Sequence, residues 1–539
     1  MNTIKKFIIS IVSLVAITSC NEYLNLSPID YYGSQNYWKS EAHFDAYIDG
    51  LHKNMRDVAF QHSIVFGELR GGLYTKANAS VENTQMQYGV LRLQNLSQDN
   101  PVVSNFGNIY GRITNLNLFI KNTTETKFLS EEKRNNYLAI AHGLRAFYYF
   151  DLYRVYGGVP LRLGIEVIEG NINPTELYLE RAQPSAVMAQ IKDDLKKSLD
   201  FFGNTSDWDP YGHGKKAVWS KAATECLIGE VYLWNAKVSI GDNKANPDDL
   251  EVAKTHLTNV MNSYGLNTLP SFASVFDANN KANDEVIFAI RFVENEATNN
   301  NGSYLYAVTT GALQPGDFYT EDADNNFIEW DDPLELKTIT FVMAHEYAKE
   351  FFQKFDKEDS RRLATFLPAY SSPSFDDLKG TNVRKNIGYI NSQGMRVMCG
   401  DYIYYRLPWV YLSLAEIENM QGNNPQVEFY INKVRERAYG EKWDAKKYGY
   451  KAGSFTDNEY AILFEKDKEF VQEGQRWWDV LRMTETKGGT PLVFTERASI
   501  DGIPILNKDT EAYKVLWPLN KGLLDNDPSL LQTPGYEQE

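Results

Sequence analysis

Apolar residues recur at intervals of three and four through most of the first half of the chain. The clearest run is Glu131–Tyr156, whose apolar positions are Tyr137, Ile140, Ala141, Leu144, Phe147, Tyr148 and Leu152. This spacing places them along one face of a helix, as a wide stripe that can be buried. Gly157 and Gly158, followed by Pro160, predict the end of this helix.

The same periodicity predicts further helices along the chain. They lie at Asn105–Lys121, Pro184–Phe202, Lys215–Val238, Asp248–Ser263, Trp409–Met420, Val427–Tyr439 and Glu459–Met483. Several are separated only by short connections rich in Gly, Asn, Asp and Pro, so neighbouring helices are expected to pack as antiparallel pairs. Stacked pairs indicate a tetratricopeptide-like scaffold, although the chain has no clear repeat signature.

The pattern changes between residues 264 and 400. Glu285–Phe292 is rich in β-branched and aromatic residues and predicts a strand, whereas Asn299–Gly302 and Asp322–Asn326 predict loops. Long loops on a rigid scaffold commonly carry binding groups. We therefore predict a mainly α fold, in which tetratricopeptide-like helix pairs form a scaffold beside an irregular, loop-rich segment with a few short strands.

The first twenty residues predict export and lipid attachment. Lys5 and Lys6 precede an apolar run, Phe7–Ile17, that is too short to span a bilayer as a stable helix. The sequence Ile17–Cys20 then places small residues directly before a cysteine. We predict a signal peptide over residues 1–19 and Cys20 as the lipid-carrying first residue of the mature protein. The alternatives are an ordinary signal peptide with a coincidental cysteine, or a short membrane anchor.

Composition narrows the classes of partner. The chain has 539 residues and a net charge of −16, and an acidic surface argues against nucleic acid and against wide contact with anionic lipid. After residue 20 no apolar stretch approaches the roughly 18 residues that a membrane helix needs, so the body is expected to lie in water. Trp, Tyr and Phe make up 13% of the chain, and a sugar-binding surface uses such residues because their flat faces pack on pyranose rings.

The three cysteines predict little covalent cross-linking. With Cys20 acylated, only Cys226 and Cys399 remain, so at most one disulfide can form. Cys226 lies in a helical pattern between small and apolar neighbours and is expected to be a buried thiol. Stability must therefore come from packing.

Motifs for metal binding and catalysis are incomplete. His345 begins a zinc-protease pattern, but Lys349 stands where the second histidine is required. Asp322 begins a calcium-loop pattern, but Phe327 stands at the glycine position and Pro333 at that of the bidentate glutamate. A solvated acidic loop is the stronger interpretation there. We predict a protein that is not an enzyme, with no metal and no cofactor.

Six blocks spread along the chain carry a family resemblance. They are Cys20–Pro28, Arg145–Pro160, Lys216–Leu233, Arg406–Gly422, Glu469–Arg482 and Trp517–Tyr536. In this order they resemble the SusD/RagB family of outer-membrane nutrient-binding lipoproteins. The last block departs from the pattern at Thr533, where asparagine is commoner. The resemblance is thinnest at residues 60–104 and 295–400.

The resemblance implies a place and a role. It implies one SusD-like domain over residues 20–539, with a helical scaffold to about 263, a ligand-side insert at 264–400, then returning helices and an extended tail. Such a lipoprotein sits in the outer membrane facing the cell exterior, captures oligosaccharide without changing it, and passes it to a SusC-like TonB-dependent transporter. The alternatives are a peptide-binding uptake lipoprotein, a surface glycoside hydrolase or protease, and a periplasmic scaffold.

Ligand contacts are expected in the two regions that match the family least, because specificity varies where the framework does not. The candidates are Arg70, Tyr74, Asn83 and Tyr88 in the first region, and Tyr304, Tyr306, Phe318, Tyr319 and Trp330 in the second. The aromatic rings would stack on sugars, while Arg70 and Asn83 would bond hydroxyls or an acidic substituent. Local packing is the alternative for each.

A second group of charged residues is expected to be framework. Arg145, Glu473, Arg476 and Asp479 lie in the shared blocks, beside aromatic residues on amphipathic helices. Half-buried ion pairs of this kind more often fix helix packing than contact a ligand.

Overall fold

The structure is a computed structural model that describes residues 37–75, 86–103, 106–165, 177–210, 212, 214–299, 306–308, 318–331, 341–343 and 346–537. Its α-helices are α1 (Glu41–Lys53), α2 (Arg56–Phe60), α3 (Met86–Arg92), α4 (Phe106–Glu125), α5 (Glu131–Tyr156), α6 (Pro184–Phe202), α7 (Lys221–Lys237), α8 (Asp249–Ser263), α9 (Phe272–Val275), α10 (Lys349–Phe352), α11 (Arg361–Thr365), α12 (Leu407–Gln421), α13 (Asn424–Tyr439), α14 (Phe455–Glu469), α15 (Arg476–Arg482) and α16 (Lys521–Asn526). The strands are β1 (Val286–Ile290), β2 (Tyr306–Val308), β3 (Tyr319–Glu321), β4 (Phe327–Glu329), β5 (Phe341–Met343), β6 (Phe366–Tyr370), β7 (Leu378–Val383), β8 (Tyr389–Ile390), β9 (Arg396–Val397) and β10 (Tyr402–Arg406).

Consecutive helices pack in pairs. Helix α5 lies against α4 and α6, α7 against α8, and α12 against α13, while α8 and α12 join the two halves of the scaffold. Because the connections are short, neighbouring helices run antiparallel and side by side. The predicted mainly α, tetratricopeptide-like fold is confirmed.

Helix α5 is the central helix of the scaffold. It begins where the Ser130 side chain accepts a hydrogen bond from the backbone N–H of Lys133, and ends at Gly157, whose φ is 76°. Every residue from Tyr137 to Tyr156 is buried, rather than the single stripe that the periodicity predicts. The difference arises because α4, α6 and α7 all pack around it, so that polar residues such as Asp151 are buried and need partners.

Short antiparallel strands organise the loop-rich segment. Strand β1, predicted at Glu285–Phe292, pairs with β10, and a four-stranded sheet has the order β4-β3-β6-β7. The loop Asp322–Asn326 is the turn between β3 and β4. The Asp322 carboxylate accepts the backbone N–H groups of Asp324 and Asn326, so it stabilises the turn.

The prediction of one continuous helix over Glu459–Met483 is wrong. The structure divides it into α14, which begins four residues earlier, and α15. Gln472 and Gly474 lie between them with φ values of 59° and 72°, which an α-helix cannot accommodate. This turn brings Gly474 against the backbone near the start of the chain.

Gly67 is the residue that this turn meets. A Cβ atom at Gly67 would lie 2.3 Å from backbone atoms of Gly474, and the Gly67 carbonyl accepts the Trp477 N–H at 2.7 Å. Gly67→Ala is therefore expected to lower the free energy of unfolding by about 1–3 kcal/mol, because neither backbone can retreat.

A second glycine provides the control in urea denaturation. Gly111 is exposed on α4 and a Cβ there meets nothing within 4 Å. Gly111→Ala should stabilise the protein by about 0.5–1 kcal/mol through helix propensity. Equal effects of the two substitutions would contradict the close approach at Gly67.

The C-terminal tail returns to the first half of the chain. The Trp517 N–H donates to the Val155 carbonyl at 2.7 Å, and the Lys521 N–H donates to Gln98. The Trp517 side chain is fully buried. The predicted extended tail is thus interrupted by α16 and bonded to α5 and to the Gln98 loop, more than 300 residues earlier in the sequence.

Two further features concern the cysteines and the membrane. Cys226 and Cys399 are buried free thiols, as expected for Cys226. Among the described residues no helix is both long enough and apolar enough to cross a membrane. Cys20 and the predicted signal peptide lie outside the described residues.

Candidate functional site

The loop-rich segment borders a large cleft, called here the loop cleft. It has a volume of about 1160 Å³. Its walls come from five segments, within residues 270–277, 320–328, 357–367, 384–396 and 437–442. The loop cleft therefore opens where the β3–β4 hairpin, α11 and the end of α13 meet. Most of its wall belongs to residues 264–400, the segment predicted to hold the ligand.

Aromatic rings form part of the wall. Phe272 and Phe276 approach each other edge to face, with centroids 5.2 Å apart. The Tyr439 ring stacks on Tyr448 at 3.9 Å, and its hydroxyl donates to Asp356 at 2.5 Å. Arg437 lies over the Phe272 ring and Lys385 over the Phe276 ring, and Tyr439 is only 7% exposed. The rings therefore form a fixed apolar part of the wall rather than open stacking faces.

Unpartnered polar atoms also lie in the wall. Within the described ranges, Thr320 Oγ1, Asn386 Oδ1 and Arg437 Nε are buried and have no hydrogen-bond partner. Leaving such a group unsatisfied costs about 1–3 kcal/mol. Asn386 Oδ1 lies against Gly400, where a Cβ atom would be 1.7 Å from it. A ligand hydroxyl can donate and accept, and so could supply partners to the other two atoms.

A buried set of charges, called here the central ion network, lies beneath the cleft. Its members are Glu285, Asp359, Arg361, Lys385, Arg406, Arg437, Glu465, Glu469 and Glu473. Arg406 Nη1 contacts Glu285 at 2.9 Å and Glu469 at 2.5 Å. Burial lowers the pKa of Lys385 to about 8, although Glu473 opposes the shift. Asp359, Lys385 and Arg437 also line the cleft, so the network holds part of its floor rigid.

Arg70 is a framework residue, which corrects its prediction as a ligand contact. Its side chain is fully buried, with the guanidinium 4.0 Å from the Trp477 ring centroid and 4.4 Å from that of Trp517. Its Nε donates to Gln94 at 2.7 Å, and burial lowers its pKa to about 10. A group enclosed in this way has no surface for a sugar.

Two of the predicted aromatic contacts are also enclosed. Tyr74 stacks on Tyr347 with centroids 4.2 Å apart, and its hydroxyl donates to that of Tyr347. Trp330 belongs to the main core and is 6% exposed. The packing alternative accounts for both residues.

Phe318 and Tyr319 keep part of their surface. Both are half-buried against the core, and Tyr319 precedes the cleft residue Thr320 on β3. Tyr88 lies in α3 and Tyr306 in β2, but their side chains are outside the described part, as are Asn83 and Tyr304 altogether. Ligand contacts by these six residues remain predictions.

The predicted framework charges are confirmed. Arg145 Nε donates to Asp194 at 2.9 Å, and Arg476 Nη1 donates to Asp467 at 2.8 Å. Glu473 accepts from Arg406, and Asp479 accepts from Lys466 at 2.8 Å.

Sequence reasoning missed Tyr439, Asn386 and Phe276. Tyr439 is the last residue of the predicted helix Val427–Tyr439, which gives no sign of a site. Asn386 carries a weak signal, because Asn tolerates its φ of 60°. Only the fold brings them to one cleft.

Comparison with known proteins covers most of the chain. Residues 284–536 match the model of the SusD family, and residues 22–233 match a model described as starch-binding associating with outer membrane. A SusD-like protein of Formosa agariphila is 23% identical over 508 residues, which cover 89% of this chain and 90% of that protein.

Solved structures are also similar to this chain. A SusD superfamily protein from Bacteroides fragilis is 54% identical and has a TM-score of 0.84, covering 93% of this chain and all of that one. NanU of B. fragilis is 30% identical with a TM-score of 0.77, covering 95% of this chain and all of the other. With a near relative that spans almost the full chain, and with both halves matched by family models, the chain belongs to the SusD/RagB family.

Proposed function

We propose that this protein is a cell-surface lipoprotein that binds oligosaccharide and delivers it to a partner TonB-dependent transporter in the outer membrane. The observation that carries the proposal is the match of residues 22–233 to a model described as starch-binding associating with outer membrane, within a chain similar to SusD proteins throughout. The predicted lipid at Cys20 would hold it at the membrane, facing the exterior. The division into scaffold, ligand-side insert and returning helices is part of the same proposal.

The loop cleft is the proposed sugar site. Pockets for small ligands commonly have volumes of ~300–1000 Å³, so about 1160 Å³ suits an oligosaccharide of a few rings. The wall of the cleft combines the aromatic residues Phe276 and Tyr439 with Thr320, whose buried hydroxyl has no partner. Apolar faces and hydrogen-bonding edges are what a pyranose presents to a protein.

Binding without bond cleavage is the proposed outcome. Glycoside hydrolysis needs two carboxyl groups free to act as acid and as base or nucleophile. In the loop cleft, Glu321 accepts two hydrogen bonds from Arg362, at 2.6 and 2.7 Å. Asp359 likewise accepts from Arg361 at 2.8 and 2.9 Å. These two carboxylates are thus engaged in holding the fold. The cleft is also lined by Asp277, Asp322, Glu358 and Glu441, so recovery of the intact sugar is the test of this outcome.

Calorimetry tests the site. We expect the chain from Asn21 onward to release or absorb heat on titration with one class among plant, microbial and host oligosaccharides, with the sugar recovered intact. Thr320→Val should then weaken binding about 3- to 10-fold, since it removes one hydroxyl contact and preserves shape.

Thr365→Val is the matched control, because Thr365 is also buried with an unpartnered hydroxyl but does not line the cleft. Equal loss in both variants would contradict the loop cleft as the site. Heat only with peptides would favour the peptide-binding alternative, and cleaved sugar would favour the enzyme.

A further inference from the structure

A second cleft lies within the helical scaffold, and we call it the scaffold cleft. It has a volume of about 970 Å³ and forms where the ends of α7 and α12 and the start of α8 meet the segment 484–516. It shares no lining residue with the loop cleft. Its size falls within the range of small-molecule sites.

The walls of the scaffold cleft are mainly apolar. Trp234, Leu250, Met420 and Leu481 line it and are each less than one-tenth exposed. Phe494, Val515 and Leu516 extend the same surface from the C-terminal segment. A wall of this kind favours an apolar body over a sugar.

Three buried polar atoms belong to residues in this wall and lack partners in the described structure. They are Trp234 Nε1, Arg154 Nε and Thr484 Oγ1. All three residues are at least 95% buried, and all three groups can donate a hydrogen bond. Buried donors are almost always satisfied in proteins, and these three residues line the same cleft, so we infer that a ligand there brings an acceptor.

The charges around the cleft favour an uncharged ligand. Arg154 already donates to Asp151 at 2.7 Å and to Glu230 at 2.6 Å. Lys237 also lines the cleft and is paired with Glu416 at 2.8 Å, so both buried charges are matched. The exposed rim adds the carboxylates of Asp248 and Glu251 against the cation of Lys487. An anion would meet this negative rim without a free cation at the back of the cleft.

We propose that the scaffold cleft binds a neutral amphipathic small molecule. Its apolar body lies against Trp234 and Leu481, and its oxygen accepts a hydrogen bond from the Thr484 hydroxyl. This site is separate from the proposed sugar site, and binding at one does not require the other.

Dye displacement tests the proposal on the chain from Asn21 onward. N-phenyl-1-naphthylamine, a neutral dye that brightens in apolar sites, is expected to bind the wild-type protein and to be displaced by 1-decanol. Decanoate, which has the same chain length but a negative charge, should displace it at least tenfold less well. Displacement by decanoate as good as that by decanol would overturn the charge argument.

Two variants locate the site. Ala245→Trp fills the cleft from a half-buried wall position and should abolish dye binding. Thr484→Val removes the unpartnered hydroxyl while preserving shape, and should weaken decanol displacement at least threefold. It should leave the thermal unfolding midpoint no lower and the oligosaccharide heat unchanged.

Thr365→Val serves again as the control, with an equally buried and unpartnered hydroxyl outside the scaffold cleft. Absence of dye binding to the wild type, or dye binding that survives Ala245→Trp, would overturn the proposal. So would equal decanol displacement in Thr484→Val and Thr365→Val. None of these results bears on the sugar titration, so the two proposals fail independently.

Discussion

Replacing Glu469 by Gln is expected to lower the free energy of unfolding by about 3–5 kcal/mol, the usual cost of removing one partner from a buried ion pair. Glu469 is fully buried at the centre of the central ion network. Its carboxylate contacts Arg361 at 3.0 Å, Arg406 at 2.5 Å and Arg437. The amide of Gln keeps the volume but leaves three buried guanidinium groups short of one negative charge.

The pKa of Glu469 agrees with this role. Burial alone would raise it, but Arg437, Arg406 and Arg361 together hold it well below its ordinary value. The carboxylate is therefore ionised throughout the pH range in which the protein would be studied, and its loss should be felt equally at neutral and mildly acid pH.

Urea denaturation followed by circular dichroism measures the loss. Asp200→Asn is the control, because it removes the same charge type from an ion pair with Lys196 in which both side chains are mostly exposed. Such a pair contributes little in water, so the control should change stability hardly at all. Similar losses in the two variants would show that the central ion network does not hold the fold.

Replacing Glu68 by Gln is expected to stabilise the protein increasingly as pH rises from 5 to 8. Glu68 is 2% exposed and accepts hydrogen bonds from the Gly474 N–H at 3.1 Å and the Tyr347 hydroxyl at 3.2 Å. Burial raises its pKa from 4.5 to about 8, although these two donors oppose the shift. The carboxyl group therefore stays protonated in the folded protein under conditions where it ionises in the unfolded chain.

The sign follows from proton linkage. Between pH 4.5 and about 8 the folded protein binds a proton that the unfolded chain has released, so stability falls as pH rises through this window. Each pH unit costs up to about 1.4 kcal/mol. Gln cannot ionise, so the variant should gain up to about 4 kcal/mol relative to wild type between pH 5 and pH 8.

Denaturation at both pH values gives the difference directly. Glu441→Gln, at an exposed position, is the control and should change stability little at either pH. A Glu68→Gln variant whose stability relative to wild type is the same at pH 5 and pH 8 would contradict the protonated state.

Local pattern predicted the helices well but not their interruption. The helix pairs and β1 follow from periodicity, because a buried stripe is a property of neighbouring residues. The break between α14 and α15 does not, because apolar residues continue through Phe470 and Val471. It depends on the approach of Gly474 to Gly67, a contact between residues some 400 positions apart.

The candidate site was harder to predict for the same reason. Aromatic residues serve cores and sugar sites alike, and composition cannot separate them. Tyr74 is buried by Tyr347, which lies 273 residues later in the sequence. Tyr439 and Asn386 line one cleft although they lie far apart in the sequence, and their neighbours Arg437 and Lys385 both belong to the central ion network.

The return of the C-terminal tail has a consequence for how the chain matures. The Trp517 N–H donates to the Val155 carbonyl, and the Trp517 ring packs on the Arg70 guanidinium. The core of the first half is therefore incomplete until the last part of the chain is present. Contacts between such distant residues form late, because a long loop must close first. A chain emerging from a ribosome or a translocation channel with its N-terminus first would therefore stay incompletely folded until its final segment is released.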